Sequence, residues 1–327
     1  MWRRIELHNH SVESDGILSV EELTAYLESQ GIRAFSLTDH NTVSGWRALP
    51  AACSERGMEF VRGCEITSYY GHLLCQNIPA YVPWDDIDED NADLLLRRVR
   101  ELGGLAGPAH PFAVPAPFSN GMHWSMKIHD YRFVDFIEVI NNAHPMLPDN
   151  KNAILWWADK IFAGFSITPV SGMDLHRPRP MDGVYTTYIE VAEESRRLPL
   201  SDQLARAVRA CRTCVTKGPV IDWKRKDGQI VVSVFPQSGD GFDEWVGESQ
   251  KAAPAAGHSY LCKLATQKTA ETVPVSFDPD TGIGRCAFPA ARLPGKQTPA
   301  ILFLYEKDAE WTNLVAIAAP VISFTMF

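Results

Sequence analysis

Between residue 5 and about residue 210, short β-rich runs alternate with amphipathic helical stretches, a rhythm that leaves the chain little choice but an α/β fold. Arg4 to His8 reads as a first strand. Ser19-Val20-Glu21-Glu22 forms a capping box, in which serine and the glutamate three residues on satisfy each other's backbone N–H groups, and Gly31 closes the helix it opens. Further strands are expected at Ile32 to Leu37, Glu59 to Ile66, His72 to Ile78, Leu105 to Ala109, Phe133 to Ile140 and Ile167 to Ser171, with Tyr185 to Val191 as an eighth. Helices are expected at Ser44 to Arg56, Asn152 to Phe162 and Ser201 to Cys211, and at Asn91 to Leu102 with Leu94, Leu95, Val99 and Leu102 on one face. After Thr213 the character changes. Lys226-Asp227-Gly228-Gln229 signals a hairpin turn, and Ile230 to Phe235, Tyr260 to Leu264, Val273 to Phe277 and Ala300 to Tyr305 are short strands separated by Gly, Pro and Asp. This places a boundary near residue 214, with residues 215–327 as a small all-β, sandwich-like domain behind an α/β domain of residues 1–214.

The net charge of −9 gives no global field favouring nucleic acid or an anionic membrane, so a phosphate-bearing ligand must be held locally. Long polynucleotides are not expected as partners. Arg3 and Arg4 have no apolar run behind them, so no secretion signal is expected. The longest apolar run, Leu314 to Phe327, contains Pro320 and is too short to cross a bilayer. Seven cysteines, an odd number, fit reduced thiols and a cytoplasmic protein better than a disulfide framework. Cys211 and Cys214 are the one close pair, but they sit at the wrong end of a helix to stabilise a thiolate.

Candidate ligands recur at one predicted strand end after another. His8-Asn9-His10 follows the first strand, Asp39-His40 the second, and Glu65 ends the third. His72 opens the fourth after a very short connection, His110-Pro111 follows the fifth and Asp174-Leu175-His176 the seventh. In a parallel barrel those ends converge on one rim. Six of the ten histidines lie there with three carboxylates, Asp15, Glu65 and Asp174. Carboxylates so gathered would repel one another unless divalent cations made ligands of them. Imidazole and carboxylate without thiolate favour Zn, Mn or Fe, and nine candidate ligands exceed the needs of one ion. Two to three metals are implied, with a bridging carboxylate. Asp39 is expected to sit behind a ligand as an imidazole's carboxylate partner. Glu138 and Asn141 point to the same rim by direction, with their role open. His123 and His129 lie on a long connection, Phe112 to Arg132, of the kind that forms lids. Lys127, Arg132 and Arg177 are candidates for holding a phosphate, although each alone also suits an exposed surface. Trp156 and Trp157 read as packing. Neither a glycine-rich phosphate loop nor a Gly-x-Ser-x-Gly elbow is present.

The strings Glu6-Leu7-His8-Asn9-His10-Ser11 with Asp15-Gly16, Leu37-Thr38-Asp39-His40-Asn41-Thr42, Gly63-Cys64-Glu65-Ile66-Thr67, Gly71-His72, Ala109-His110-Pro111 and Ser171-Gly172-Met173-Asp174-Leu175-His176 resemble, in order, the motifs of the PHP domain, named for polymerase and histidinol phosphatase. The resemblance spans roughly residues 5 to 176. It implies a distorted seven-stranded barrel with a trinuclear metal site. One metal would take His8, His10, Glu65 and Asp174; a second Glu65, His72 and His110, with Glu65 bridging; a third Asp15, His40 and His176. Asp15 stands where several phosphatase branches carry histidine. Thr38 to Thr42 and Cys214-Val215-Thr216-Lys217-Gly218-Pro219 also resemble the carbaryl-hydrolase-type branch, whose best-known member cleaves a carbamate ester.

The expected chemistry is metal-assisted hydrolysis, in which coordination lowers a water's pKa from about 15.7 to roughly 7 and a bridging hydroxide attacks. His176 or His40 would protonate the leaving group. The family points first to a phosphoesterase acting on small phosphate monoesters or short diesters. A carboxylic ester, amide or carbamate hydrolase with the same metal site is the alternative, and a metal-stabilised binding module without turnover is the alternative of another class.

Overall fold

Every residue of Trp2–Ile5 (β1) is buried, as a strand lying inside a fold requires. In this computed structural model residues 1–114, 121–143, 148–181, 183–239, 241–248, 258–290 and 298–321 are described. The capping box forms as the sequence requires: the Ser19 hydroxyl accepts from Glu22 N and the Glu22 carboxylate from Ser19 N, opening Val20–Ser29 (α1). Ala34–Leu37 (β2) follows. The helix expected over Ser44 to Arg56 splits into a 3-10 turn, Ser44–Arg47, and Leu49–Ser54 (α2), with Pro50 in the first turn where a missing N–H costs nothing.

Glu59–Ser68 (β3) and Gly71–Gln76 (β4) are joined only by Tyr69-Tyr70. So short a link can only reverse the chain, and β4 runs antiparallel to β3; Leu105–Pro108 (β5) runs antiparallel to β4. A wholly parallel set of strands is therefore not what forms. Parallel pairing holds for β2 with β3, and for Phe136–Asn141 (β6) with Thr168–Gly172 (β7). Beyond β1, Glu6 bridges to Phe35 and Asn9 to Leu175, both parallel. Between β4 and β5, Ala92–Glu101 (α3) buries Leu95, Leu96 and Val99; Leu94 and Leu102, expected on the buried face, are exposed. Asp149–Phe162 (α4) packs its Trp157 fully into the core.

Thr186–Glu190 (β8), Leu200–Arg209 (α5) and Thr213–Thr216 (β9) complete the alternation. The rest is β-structure: Val220–Lys226 (β10), Gln229–Phe235 (β11), Trp245–Val246 (β12), Tyr260–Ala265 (β13), Ala270–Pro274 (β14), Ser276–Phe277 (β15), Gly284–Pro289 (β16), Ile301–Glu306 (β17) and Leu314–Ala318 (β18). Asp227 and Gly228, both with φ near +50° to +75°, make the predicted turn between β10 and β11. The apolar run from Leu314 ends in residues that lie outside the described ones beyond 321. No helix among the described residues is long and apolar enough to cross a membrane.

One sheet runs β12-β1-β8-β9-β18-β17-β13-β14, and a second runs β10-β11-β16-β15. Their facing surfaces share a core in which Tyr188, Cys214, Leu302 and Leu304 cluster with Ile230, Val232 and Phe288. The sandwich-like layering is thus present in the all-β region. Residue 214, where the division was expected, lies inside β9, and the larger sheet continues across it into β1 and β8.

Candidate metal centre

The nine expected ligands leave strands or the turns beside them. His8 and His10 follow β1, and Asp15 sits on the connection to α1. His40 follows β2, Glu65 lies in β3, His72 is in β4, His110 follows β5, and Asp174 and His176 follow β7. Non-glycine backbone at His110 (φ 27°) and Asp174 (φ 49°) lies in the left-handed region. Such conformations cost on the order of 1–3 kcal/mol each and persist where surrounding contacts impose them.

All nine come together, around Glu65. Its fully buried carboxylate meets five imidazole nitrogens: Oε2 lies 3.1 Å from His8 Nε2, 3.3 Å from His10 Nε2 and 3.1 Å from His40 Nδ1, and Oε1 lies 3.0 Å from His72 Nδ1 and 3.1 Å from His110 Nε2. Asp174 Oδ1 adds contacts of 3.4 Å to His8 Nε2 and 3.2 Å to His10 Nε2. At the mouth Asp15 Oδ1 is 3.1 Å from His176 Nε2 and 3.6 Å from His40 Nε2.

This packing sets the charge states. Burial alone would raise the Glu65 and Asp174 pKa values, but the facing imidazoles, His8 foremost, hold both carboxyls well below their ordinary range. Burial opposes charge on His110 too; the bond to Glu65 and the nearby carboxylates outweigh it and lift the imidazole to about 9. His8 is raised likewise, and His176 is raised by Asp15 and Asp174. For His40 burial wins, lowering it to about 4, so its ring is neutral at pH 7.

Outer contacts aim the rings. His8 Nδ1 meets Glu138 Oε1 at 2.9 Å, leaving Nε2 for the centre; His110 Nδ1 meets the Met122 carbonyl at 3.2 Å, and His40 Nδ1 meets Thr67 Oγ1 at 2.5 Å. Glu138 Oε2 also accepts from His110 N at 2.7 Å and Asn141 Nδ2 at 3.1 Å, and Asn141 donates on to Asp174 Oδ2 at 3.2 Å. Beneath them Glu6, pushed up to about 7 by burial, accepts from His8 N and Met173 N. Gly172 is required here, because an added Cβ would lie 2.4 Å from both Glu138 Oε1 and His8 Cβ.

The donor set fits cations. Both ring nitrogens of His10 are buried and make no well-aligned hydrogen bond, Nε2 only facing the carboxylates of Glu65 and Asp174, a state that costs free energy unless something accepts the lone pair. Three groups of ligand atoms lie within 4.8 Å of one another: His8, His10, Glu65 and Asp174; His10, Asp15, His40 and His176; His40, Glu65 and His72. The cleft above them has a volume of about 520 Å³. Ser14, Thr67 and Met122 line it beside the candidate ligands, and no lysine or arginine does so among the described residues.

Other expectations fare differently. Among the described residues Asp39 faces no imidazole in a hydrogen bond; it accepts from Ser11 N at 2.6 Å and from the Ser11 and Ser14 hydroxyls at 2.8 Å, bracing the loop that carries Asp15. Lys127 pairs with Asp90 and Arg132 with Asp130 on the surface, Arg177 is exposed, and none of the three lines the cleft. A local acid claims the first two cations before a distant phosphate could. His123 bonds the Ala113 carbonyl and His129 the Asp90 carbonyl, so the described part of the long connection is held by main-chain contacts; residues 115–120, the rest of the expected lid, lie outside the described ones. Cys211 and Cys214 are free, and burial pushes each thiol up to about 12. The outer role of Glu138 was only half visible: a lone charge inside Phe136-Ile137-Glu138-Val139-Ile140 marks a buried partner without saying which. Glu6, Thr67 and Met122 gave no signal of their own.

Residues 6–99 match the PHP domain family. Over 68 residues the chain is 38% identical to a 5'-3' exoribonuclease from Haemophilus influenzae, covering 21% of this chain and 25% of that protein. Over 67 residues it is 34% identical to a 3',5'-nucleoside bisphosphate phosphatase from Chromobacterium violaceum, covering 20% of this chain and 24% of that protein. The chain thus spans about a quarter of the length of these curated relatives. A two-domain protein from Bacteroides vulgatus, described as containing a predicted PHP-like metal-dependent phosphoesterase, superposes with a TM-score of 0.56 at 16% identity, covering 98% of this chain and 95% of the other. That likeness is one of fold, and it extends over the all-β region.

Proposed function

From the match of residues 6–99 to the PHP domain family, we propose that this chain is a metal-dependent phosphoesterase acting on small phosphate monoesters or short diesters. The observation that carries this reading is His10, whose two buried nitrogens make no well-aligned hydrogen bond at the point where His8, Glu65 and Asp174 converge. Two to three divalent ions, Zn, Mn or Fe, are the cofactors we assign: one to His8, His10, Glu65 and Asp174, one to Glu65, His72 and His110, and one to Asp15, His40 and His176. Bound there, such ions would neutralise charge developing on the ester oxygens and make water a usable nucleophile near neutral pH. The protein's own part is to hold the rings. Glu138, Met122 and Thr67 fix which nitrogens of His8, His110 and His40 face inward, and the buried floor excludes bulk water from the carboxylates. His176 is half-buried at the mouth with Nε2 on Asp15; with the third ion absent, that nitrogen can carry a proton and pass it to a departing alkoxide, and we assign it this role in preference to His40.

We read β1 to β7 as one distorted barrel. Support comes from the bridges Glu6–Phe35 and Asn9–Leu175 and from the bond of Asp135 N to Ala106 O between β5 and β6. Residues 215–327 are then an accessory all-β region. The substrate is a small molecule, and free thiols at all seven cysteines suit a reducing cytoplasm.

A second reading, a carboxylic ester or carbamate hydrolase, draws on the cleft's lack of a lysine or arginine among the described residues, since an uncharged ester needs none. One comparison separates the two. The phosphoesterase turns over p-nitrophenyl phosphate, ignores p-nitrophenyl acetate and is inhibited by inorganic phosphate; the reverse pattern refutes it. Elemental analysis of protein purified without chelator should give two to three metal equivalents per chain. A loss of thermal stability on metal removal with no hydrolysis under any of Zn, Mn and Fe would instead mark a binding module.

A further inference from the structure

A second cavity, of about 470 Å³, lies where β1 meets the segment before β8 and the turns after β9 and β11, and it shares no lining residue with the metal cleft. Two cations line it. Arg4 projects from β1 and is only 4% exposed. Its Nε donates to Thr186 Oγ1 at 3.2 Å and its Nη1 to the Gln30 carbonyl at 3.5 Å, while its guanidinium lies 4.7 Å from the Phe242 ring centre. Lys217, on the turn after β9, is half-buried with Nζ 5.3 Å from the Tyr185 ring centre.

Among the described residues, neither cation has a carboxylate within ion-pairing distance and no acid lines the cavity. Arg3, buried in the same strand, pairs with Glu59 and Glu244, and the half-buried Arg212 with Glu190 and Asp222. The acids that reach Arg4 and Lys217 through space are engaged. Glu6 accepts from His8 N and Met173 N, and Glu306 bonds His258. Burying a cation without a partner is costly, and burial accordingly lowers the pKa of both groups. A ligand carrying negative charge would remove that cost. The walls say what else it carries: Phe242, Tyr260, Met181, Val184 and Pro219 are apolar, with Ser29 and Gln237 as polar points between them.

We propose that this cavity binds a small phosphate-bearing molecule, its dianionic head taken by Arg4 and Lys217 and its uncharged body laid against Phe242 and Tyr260. Two cations, with no acid among the described lining residues, match a charge of two, and a phosphate's oxygens can accept the remaining guanidinium N–H groups and the ammonium together. The site is independent of the metal centre and of the reaction assigned to it.

The probe is radiolabelled inorganic phosphate, in equilibrium dialysis at fixed ionic strength against metal-loaded wild type, His10→Ala, and His10→Ala combined with Lys217→Gln or Lys217→Glu. His10→Ala removes a ligand of one proposed ion and chelation removes all of them; chelator-treated His10→Ala should keep one saturable phosphate site per chain. Lys217→Gln should weaken that site about tenfold or more, as loss of a charged hydrogen bond requires, and Lys217→Glu should abolish it. Chelator-treated wild type gives the same reading without any substitution at His10. Three results each overturn the proposal: phosphate that binds only while the metal cleft is intact, unchanged affinity in both Lys217 variants, or displacement by acetate at equal concentration, which would mean that a monoanion suffices.

Discussion

Glu138→Gln tests how the centre is held without touching a proposed ligand. Three donors converge on this buried carboxylate: His8 Nδ1 at 2.9 Å on one oxygen, His110 N at 2.7 Å and Asn141 Nδ2 at 3.1 Å on the other. Glutamine has the same shape but only one accepting oxygen. Turned with its NH2 toward His8, it forces Nδ1 to accept, the proton moves to Nε2, and the lone pair facing Glu65 and Asp174 is lost. Turned the other way, its NH2 abuts the His110 N–H and the Asn141 amide, and both lose the carboxylate oxygen that accepted from them. Either orientation loses a charge-assisted bond in a buried place, about 1.5–3 kcal/mol, which is roughly a ten- to hundredfold loss of metal affinity. Competition against a fluorescent zinc chelator measures it, with wild type and variant compared at the same pH. A variant with wild-type zinc affinity, its fold intact by circular dichroism, would refute the claim that Glu138 sets the His8 tautomer.

Three further outcomes are expected. His10→Ala should make zinc binding fall steeply while the chelated protein still unfolds in one cooperative urea transition, because the ring's Nδ1 makes no hydrogen bond and its Nε2 only loose contacts with Asp174 and Glu65; wild-type zinc affinity would contradict its role as a ligand. Gly172→Ala should destabilise by about 1–3 kcal/mol, since its Cβ has no room beside Glu138 and His8, and an unchanged urea midpoint would contradict that packing. The His110 pKa is raised from 6.5 to about 9, so in chelated protein its contribution is fully present below pH 6.5 and is lost as pH climbs through 9, about 3 kcal/mol in all. Metal-loaded protein, with protons displaced from the rings, should show a flatter profile; identical profiles with and without metal would count against cation binding at His110.

The centre was legible where ligands follow strands, because a strand's end fixes where its next residues point: His8 and His10 beyond β1, His40 beyond β2, Asp174 and His176 beyond β7. What decides ring orientation was not legible. Glu138, Met122 and Thr67 act through space on residues far away in sequence, and a sequence pattern carries no distances. Strand direction was misread at β4, although a link as short as Tyr69-Tyr70 already demanded a reversal. Lys127 and Arg132 were read by charge alone, and each is claimed by an acid, Asp90 or Asp130, that nothing in the local pattern ranks above a substrate. The all-β region was visible through its turns; its fusion to β1 was not, since pairing between residues 3 and 245 leaves no local trace.

That fusion bears on how the molecule can be cut. β1 is laced on one side to β8 and on the other to β12, and β9 is laced to β18. A fragment stopped at residue 214 would bare two raw strand margins, ready to stick to other chains, and would leave Trp2 without the apolar bed it shares with Val246 and Leu304. The same ribbon leads straight into His8 and His10. A displacement of β12 or β8 would therefore be handed along β1 to the residues that carry the candidate ligands, and the two halves of this chain are joined as a beam and its bracket are.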